Sequence, residues 1–156
     1  MIANDDWQQP HAHDSNPTPP DGDATFAVVT PHGRAVVTIA ALRALPAHTL
    51  RDAIIASTGH PASGPFDFSG APLRAVIAAY APGEWAAARV LSGDGFGVQI
   101  VAAEWAGDDE QPILLAHTID GRPLTRAEGL VRLIVPTETD EALRQVKWVA
   151  EVRLLS

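Results

Sequence analysis

Residues 113–136 read ILLAHTIDGRPLTRAEGLVRLIVP. The apolar run Ile113 to Thr118 is closed by the turn Ile119-Asp120-Gly121-Arg122. A second apolar run, Leu130 to Val135, ends at Pro136. Runs of this length with a Gly-containing turn between them read as strand, turn, strand. A further strand is expected over Lys147 to Leu155, and the acidic stretch Glu138 to Val146 between them permits a helix.

The chain upstream has the same character. Phe26 to Val29 and Ala35 to Val37 flank Thr30-Pro31-His32-Gly33 and read as a hairpin. Thr38 can cap a short helix over Ile39 to Leu45, ended by Pro46, and a strand follows from Thr49 to Ser57. Gly59 to Gly70 (GHPASGPFDFSG) is dense in Gly and Pro and reads as a loop. Pro72 suits a first helical turn, and Leu73, Val76, Ile77 and Tyr80 recur at helical spacing up to Pro82-Gly83. Ser92-Gly93-Asp94-Gly95 links Ala88 to Leu91 with Phe96 to Val101 as a hairpin, followed by a short helix over Ala102 to Ala106 and an acidic turn over Gly107 to Gln111. Strands outnumber helices and do not alternate with them, so the expected class is α+β.

Composition narrows the function. With 156 residues and 46% hydrophobic side chains, the chain fits one domain, here 25–156, preceded by an acidic arm, 1–24, too poor in apolar groups to repay its ordering entropy. The arm's His11 and His13 read as solvated residues. The net charge is −8 and no basic stripe is visible, which argues against nucleic-acid binding. No cysteine is present, so disulfides and thiolate metal sites are excluded. No window approaches a membrane span, and the start lacks a signal-peptide pattern. The chain as given therefore reads as soluble, periplasmic if a leader has been removed and cytoplasmic otherwise. Ser57, Ser63 and Ser92 lack a nucleophile elbow, Gly93-Asp94-Gly95-Phe96-Gly97 leads into a strand rather than a phosphate-binding helix, and the histidines have no zinc spacing.

Several fragments, in order, resemble the molybdopterin-binding domain of the sulfite oxidase family. They are Val37 to Pro46, the strand into Ser57-Thr58-Gly59-His60, Phe68 to Leu73, Ser92 to Phe96, Leu114-Leu115-Ala116 with Asp120 to Leu124, Gly129 to Pro136, and Val146-Lys147-Trp148. The resemblance implies a mixed α+β fold of several small sheets and a pterin or molybdopterin ligand. In the family's enzymes a cysteine binds molybdenum where Ser57 stands here. A serine hydroxyl is harder and deprotonates far less readily than a thiol, which disfavours molybdenum. The motif Gly-Pro-Leu-Arg is here Gly129-Leu130-Val131-Arg132, and Glu138, Asp140 and Glu141 follow where they would repel a phosphate tail.

Six residues form the candidate ligand site: Ser57, His60, Asp94, Arg132, Lys147 and Trp148. Arg132 lies in an apolar run and needs either a carboxylate partner or a ligand acceptor. Lys147, the only lysine, and Trp148 offer a cation and a stacking face, or else a plain strand with Trp148 inward. Asp94 and Glu104 can accept the paired donors of a pterin edge, although Asp94 also suits a turn. His60 can hydrogen-bond a ligand or sit in an ordinary loop, and Phe66 and Trp105 can stack on a ring or fill a core. Three functions remain open: a non-catalytic pterin-binding module, a molybdenum-dependent oxidoreductase with an atypical metal site, and a scaffold that has lost the cofactor and binds a protein partner.

Overall fold

The computed structural model describes residues 25–57, 60–106, 112–136 and 145–156, with the backbone alone for 54–57 and 60–64. The first hairpin forms as expected, β1 (Thr25–Thr30) pairing antiparallel with β2 (Gly33–Thr38). Thr38 then caps α1 (Ile39–Ala44), its Oγ1 accepting from the Ala41 N–H at 3.0 Å.

The segment read as a loop is a strand. β3 (His48–Ser57) pairs antiparallel along its length with β4 (His60–Pro72). The breakers are absorbed by register shifts. The pairing steps from Ala53 and Phe66 to Ile55 and Ser63, then to Ser57 and His60, so neither Pro61 nor Pro65 is an aligned partner. Bulges of this kind let a strand carry prolines, which cannot donate to the ladder.

The chain then forms α2 (Leu73–Tyr80), which buries Leu73, Val76 and Ile77 as its spacing predicts. The hairpin β5 (Ala87–Ser92) and β6 (Gly97–Val101) follows, then α3 (Ala102–Trp105), whose first turn is closed by the Val101 N–H donating to Glu104 Oε2 at 2.9 Å. β7 (Leu114–Ile119) turns through Asp120 and Gly121, both at positive φ, into β8 (Arg122–Pro123). β9 (Arg132–Ile134) and β10 (Val149–Leu155) are shorter than expected, because Leu130 at φ 59° and Trp148 at φ 50° leave the extended region. The acidic turn over Gly107 to Gln111 and the helix considered over Glu138 to Val146 lie outside the described residues, apart from Gln145 and Val146.

Two sheets result, one in the order β2-β1-β10-β5-β6, the other β3-β4-β7-β8 with β9 also on β7. In the first, β1 and β10 run parallel, and the remaining pairs are antiparallel. This is the α+β class expected.

Strand alternation divides the core. Leu115 on β7 and Leu133 on β9 face the larger cluster, with Val28, Val76, Val90 and Val152. Their neighbours Leu114, Ala116 and Ile134 face a smaller cluster with Leu50, Phe68, Ile119 and Leu124. β7 is therefore apolar on both faces, which is why its sequence is a continuous run rather than an alternation.

Candidate functional site

Arg132 opens β9, paired with Ala116 of β7. That register puts it on the side of the smaller cluster, where its guanidinium carbon lies 5.3 Å from the centre of the Phe68 ring. Only 6% of the residue is exposed, and its Nε has no hydrogen-bond partner among the described residues. Burial pushes the guanidinium down to about 10, with the charge of Glu128 acting the other way, so it stays cationic at neutral pH. A buried cation stacked on a ring with an unused donor is unfavourable by itself and suited to an acceptor brought by a ligand.

The backbone around it is held in uncommon conformations. Gly129 has φ 111° and Leu130 φ 59°. Residue 130 would be proline in the Gly-Pro-Leu-Arg motif, and proline is locked near −65°, so the backbone seen here belongs to the sequence with leucine. The Gly129 carbonyl accepts from the N–H groups of Val131 at 2.6 Å and Trp148 at 2.9 Å. A Cβ on Gly129 would lie 2.9 Å from Arg132 Cγ and 3.0 Å from Lys147 Cβ, so only glycine lets both side chains pack over this point. Left-handed residues gathered this tightly are a mark of functional sites.

Trp148 ties three segments together. Its Nε1 donates to the Arg126 carbonyl at 2.6 Å, its N–H to Gly129, and its carbonyl accepts from the Gly93 N–H at 2.8 Å. Lys147 is exposed, with Nζ 5.8 Å from the Trp148 ring centre. Asp94 stands in the β5–β6 turn that Gly93 anchors to Trp148. Its Oδ1 accepts from the Phe96 N–H at 3.3 Å, and its own N–H donates to Ser92 Oγ at 3.2 Å. The structure thus brings Arg132, Lys147 and Trp148 together around Gly129 and fastens the Asp94 turn to the Trp148 backbone.

Ser57 and His60 are register partners at the far end of the β3–β4 hairpin, and their side chains lie outside the described residues. His60 is eight residues along β4 from Phe68, up to about 26 Å of extended strand. Glu104 caps α3, Trp105 packs against the larger core, and Phe66 meets Phe68 edge-on with ring centres 6.0 Å apart.

Two features escaped the sequence reading. The first is the turn before Gly129. Thr125 and Glu128 cap each other, the Thr125 N–H donating to Glu128 Oε1 at 2.9 Å and the Glu128 N–H to Thr125 Oγ1 at 3.2 Å. Arg122 clamps both Glu128 oxygens at 2.7 Å, and these bonds hold the carboxyl at about 2. The Thr-x-x-Glu spacing was the available signal.

The second is His117, 7% exposed on β7. Its Nδ1 is 2.8 Å from Thr118 Oγ1, and its Nε2 has no partner among the described residues. Burial, followed by the charge of Arg43, pushes its pKa below the ordinary 6.5. The unfolded chain therefore takes up a proton near 6.5 that the folded chain refuses. Stability should be fully present above pH 6.5 and fall as pH drops below it. Thermal melts of the wild type between pH 8 and 5 should show that slope, and His117→Gln should flatten it.

The fold is thus a two-sheet α+β domain with Arg132 buried on β9. A family model described as "Oxidoreductase molybdopterin binding domain" matches residues 30–156, and the chain belongs to that family. Among solved structures, the sulfane dehydrogenase SoxCD from Paracoccus pantotrophus is similar in fold, with a TM-score of 0.66 at 19% identity over 84% of this chain. The chain spans 38% of the length of that relative's chain. A search of curated proteins gave no match.

The family's name implies molybdopterin, and the residues fit that ligand in part. For the organic portion, Arg132 offers a buried donor with no partner among the described residues. The metal does not find its usual anchor, because the sequence has no cysteine, and no group of three His, Asp or Glu able to hold a metal occurs among the described residues. Nor is any described helix long and apolar enough to cross a membrane.

Proposed function

We propose that residues 25–156 form a non-catalytic pterin-binding module in which the molybdenum-ligating thiolate has been replaced by Ser57, and that the acidic segment 1–24 lies outside the binding domain. The single observation that carries the reading is Arg132, buried over Phe68 with its Nε unsatisfied. A buried charge of this kind costs several kcal/mol unless it is compensated, and a bound acceptor would compensate it. A pterin supplies one in its ring carbonyl, and its flat face suits the Lys147–Trp148 pair. Asp94, Ser57 and His60 are the candidates for further polar contacts, Asp94 as an acceptor for the amino-pyrimidine edge.

Native mass spectrometry with metal analysis of the purified full chain tests this. The expected result is a small-molecule adduct of pterin mass, one per chain, with molybdenum far below stoichiometry. Stoichiometric molybdenum would instead establish the oxidoreductase reading. A protein that carries no adduct and takes up no added pterin would point to the scaffold reading.

A further inference from the structure

Resting on the pterin reading, this inference concerns how Arg132 is kept available. Glu128 is the carboxylate whose charge acts on Arg132, yet the two are not bonded. They are separated in the chain by Gly129, Leu130 and Val131, and the Arg132 stem folds back over Gly129, the residue next to Glu128. A buried guanidinium with an empty donor attracts any carboxylate within reach, and an internal ion pair there would occupy the donor that the ligand needs. Glu128 is prevented from making that pair by Arg122, which takes both carboxylate oxygens at 2.7 Å, while the Thr125 N–H takes Oε1 as well. Arg122 itself is fixed by its place on β8, paired with Ile119 at the turn out of β7.

We propose that Arg122 is a positioning residue that holds Glu128 away from Arg132, so that the Arg132 Nε–H is left for a ligand acceptor and ligand affinity is set by the Arg122–Glu128 clamp. Losing Arg122 releases Glu128 to pair with Arg132 and occupies the donor that the ligand needs. Arg122 is more than half exposed, so its removal leaves the core intact.

The test uses the full chain and two readouts. In the first, oxidised biopterin is titrated while tryptophan fluorescence is followed. Arg122→Ala should weaken binding about tenfold or more, as expected for a newly formed competing charge pair. Glu128→Gln should bind at least as well as wild type, and the double variant Arg122→Ala/Glu128→Gln should return to within about threefold of it. In the second readout, the Arg132 Nε–H resonance of the ligand-free protein, assigned by its loss in Arg132→Met, should exchange more slowly with water in Arg122→Ala alone. A double variant as weak as Arg122→Ala would reduce Arg122 to a turn-stabilising role and overturn the proposal. So would an Nε–H unchanged by Arg122→Ala. If wild type gives no quenching, the pterin reading fails, and the Nε–H readout still decides whether the clamp exists.

Discussion

Replacing Arg132 by methionine is expected to raise the melting temperature of the ligand-free protein by roughly 5 °C, an increase that corresponds to about 1–2 kcal/mol for a domain of this size. The sign follows from competing magnitudes. Burying an ion costs several kcal/mol, and here no hydrogen bond to Nε offsets it. The stacking on Phe68 returns about 2 kcal/mol when desolvated, and Glu128, already engaged by Arg122, acts on Arg132 only by its charge, without a bond. Methionine keeps the linear stem and regains part of the ring contact through sulfur, about 0.3–1.5 kcal/mol. Buried ionic groups replaced by apolar ones of similar volume commonly stabilise a protein, whereas residues kept for a ligand are retained at a cost to stability. Differential scanning fluorimetry checks the sign. A fall in melting temperature would mean that Arg132 serves the fold rather than a ligand.

Gly70→Ala is expected to have the opposite and larger effect, destabilising the protein by about 3 kcal/mol or more. Gly70 sits near the end of β4, between β3 and β7, opposite His48 on one side and Ala116 on the other. A Cβ there would run into the Leu115 carbonyl oxygen and come within 2.5 Å of Ala116 Cα. These are backbone atoms of β7 and cannot rotate away. Relief requires β4 and β7 to separate, and that opens both core clusters, since Leu115 belongs to one and Ala116 to the other. Urea unfolding should show a much lower midpoint or no folded baseline. Gly121→Asn is the matched control, because Gly121 has φ 83° and open space around it, a conformation asparagine tolerates. A Gly70→Ala midpoint close to that of the control would refute the close approach of β4 and β7.

What was legible in the sequence was local. The β1–β2 and β5–β6 hairpins, the Thr38 cap and the buried face of α2 each depend on residues within one turn or one pair of strands. The β4 segment reads as a loop because Pro61, Gly64 and Pro65 are breakers in isolation, and only the long-range pairing to β3 shows how the register shifts around them. Arg132 was legible because a charge inside Leu130 to Val135 has to be explained. The platform beneath it was not, since Phe68 arrives from 64 positions earlier through the β4–β7–β9 register. Lys147 and Trp148 were identified as a pair, but nothing in their spacing reveals that Trp148 adopts φ 50° and binds Gly93, Arg126 and Gly129 at once. His117 passed as one member of an apolar strand, because strand patterning does not reveal whether an imidazole is satisfied.

The missing cysteine and the unsatisfied arginine together carry the proposal of a pterin site without its usual metal anchor. Fluorescence titration of the metal-free full chain with oxidised and reduced biopterin, wild type against Arg132→Met, tests that claim most directly. Saturable quenching at one pterin per chain in the wild type, lost in a variant that is folded and more stable, is the predicted result. Equal quenching in both proteins, or none in the wild type, would contradict it.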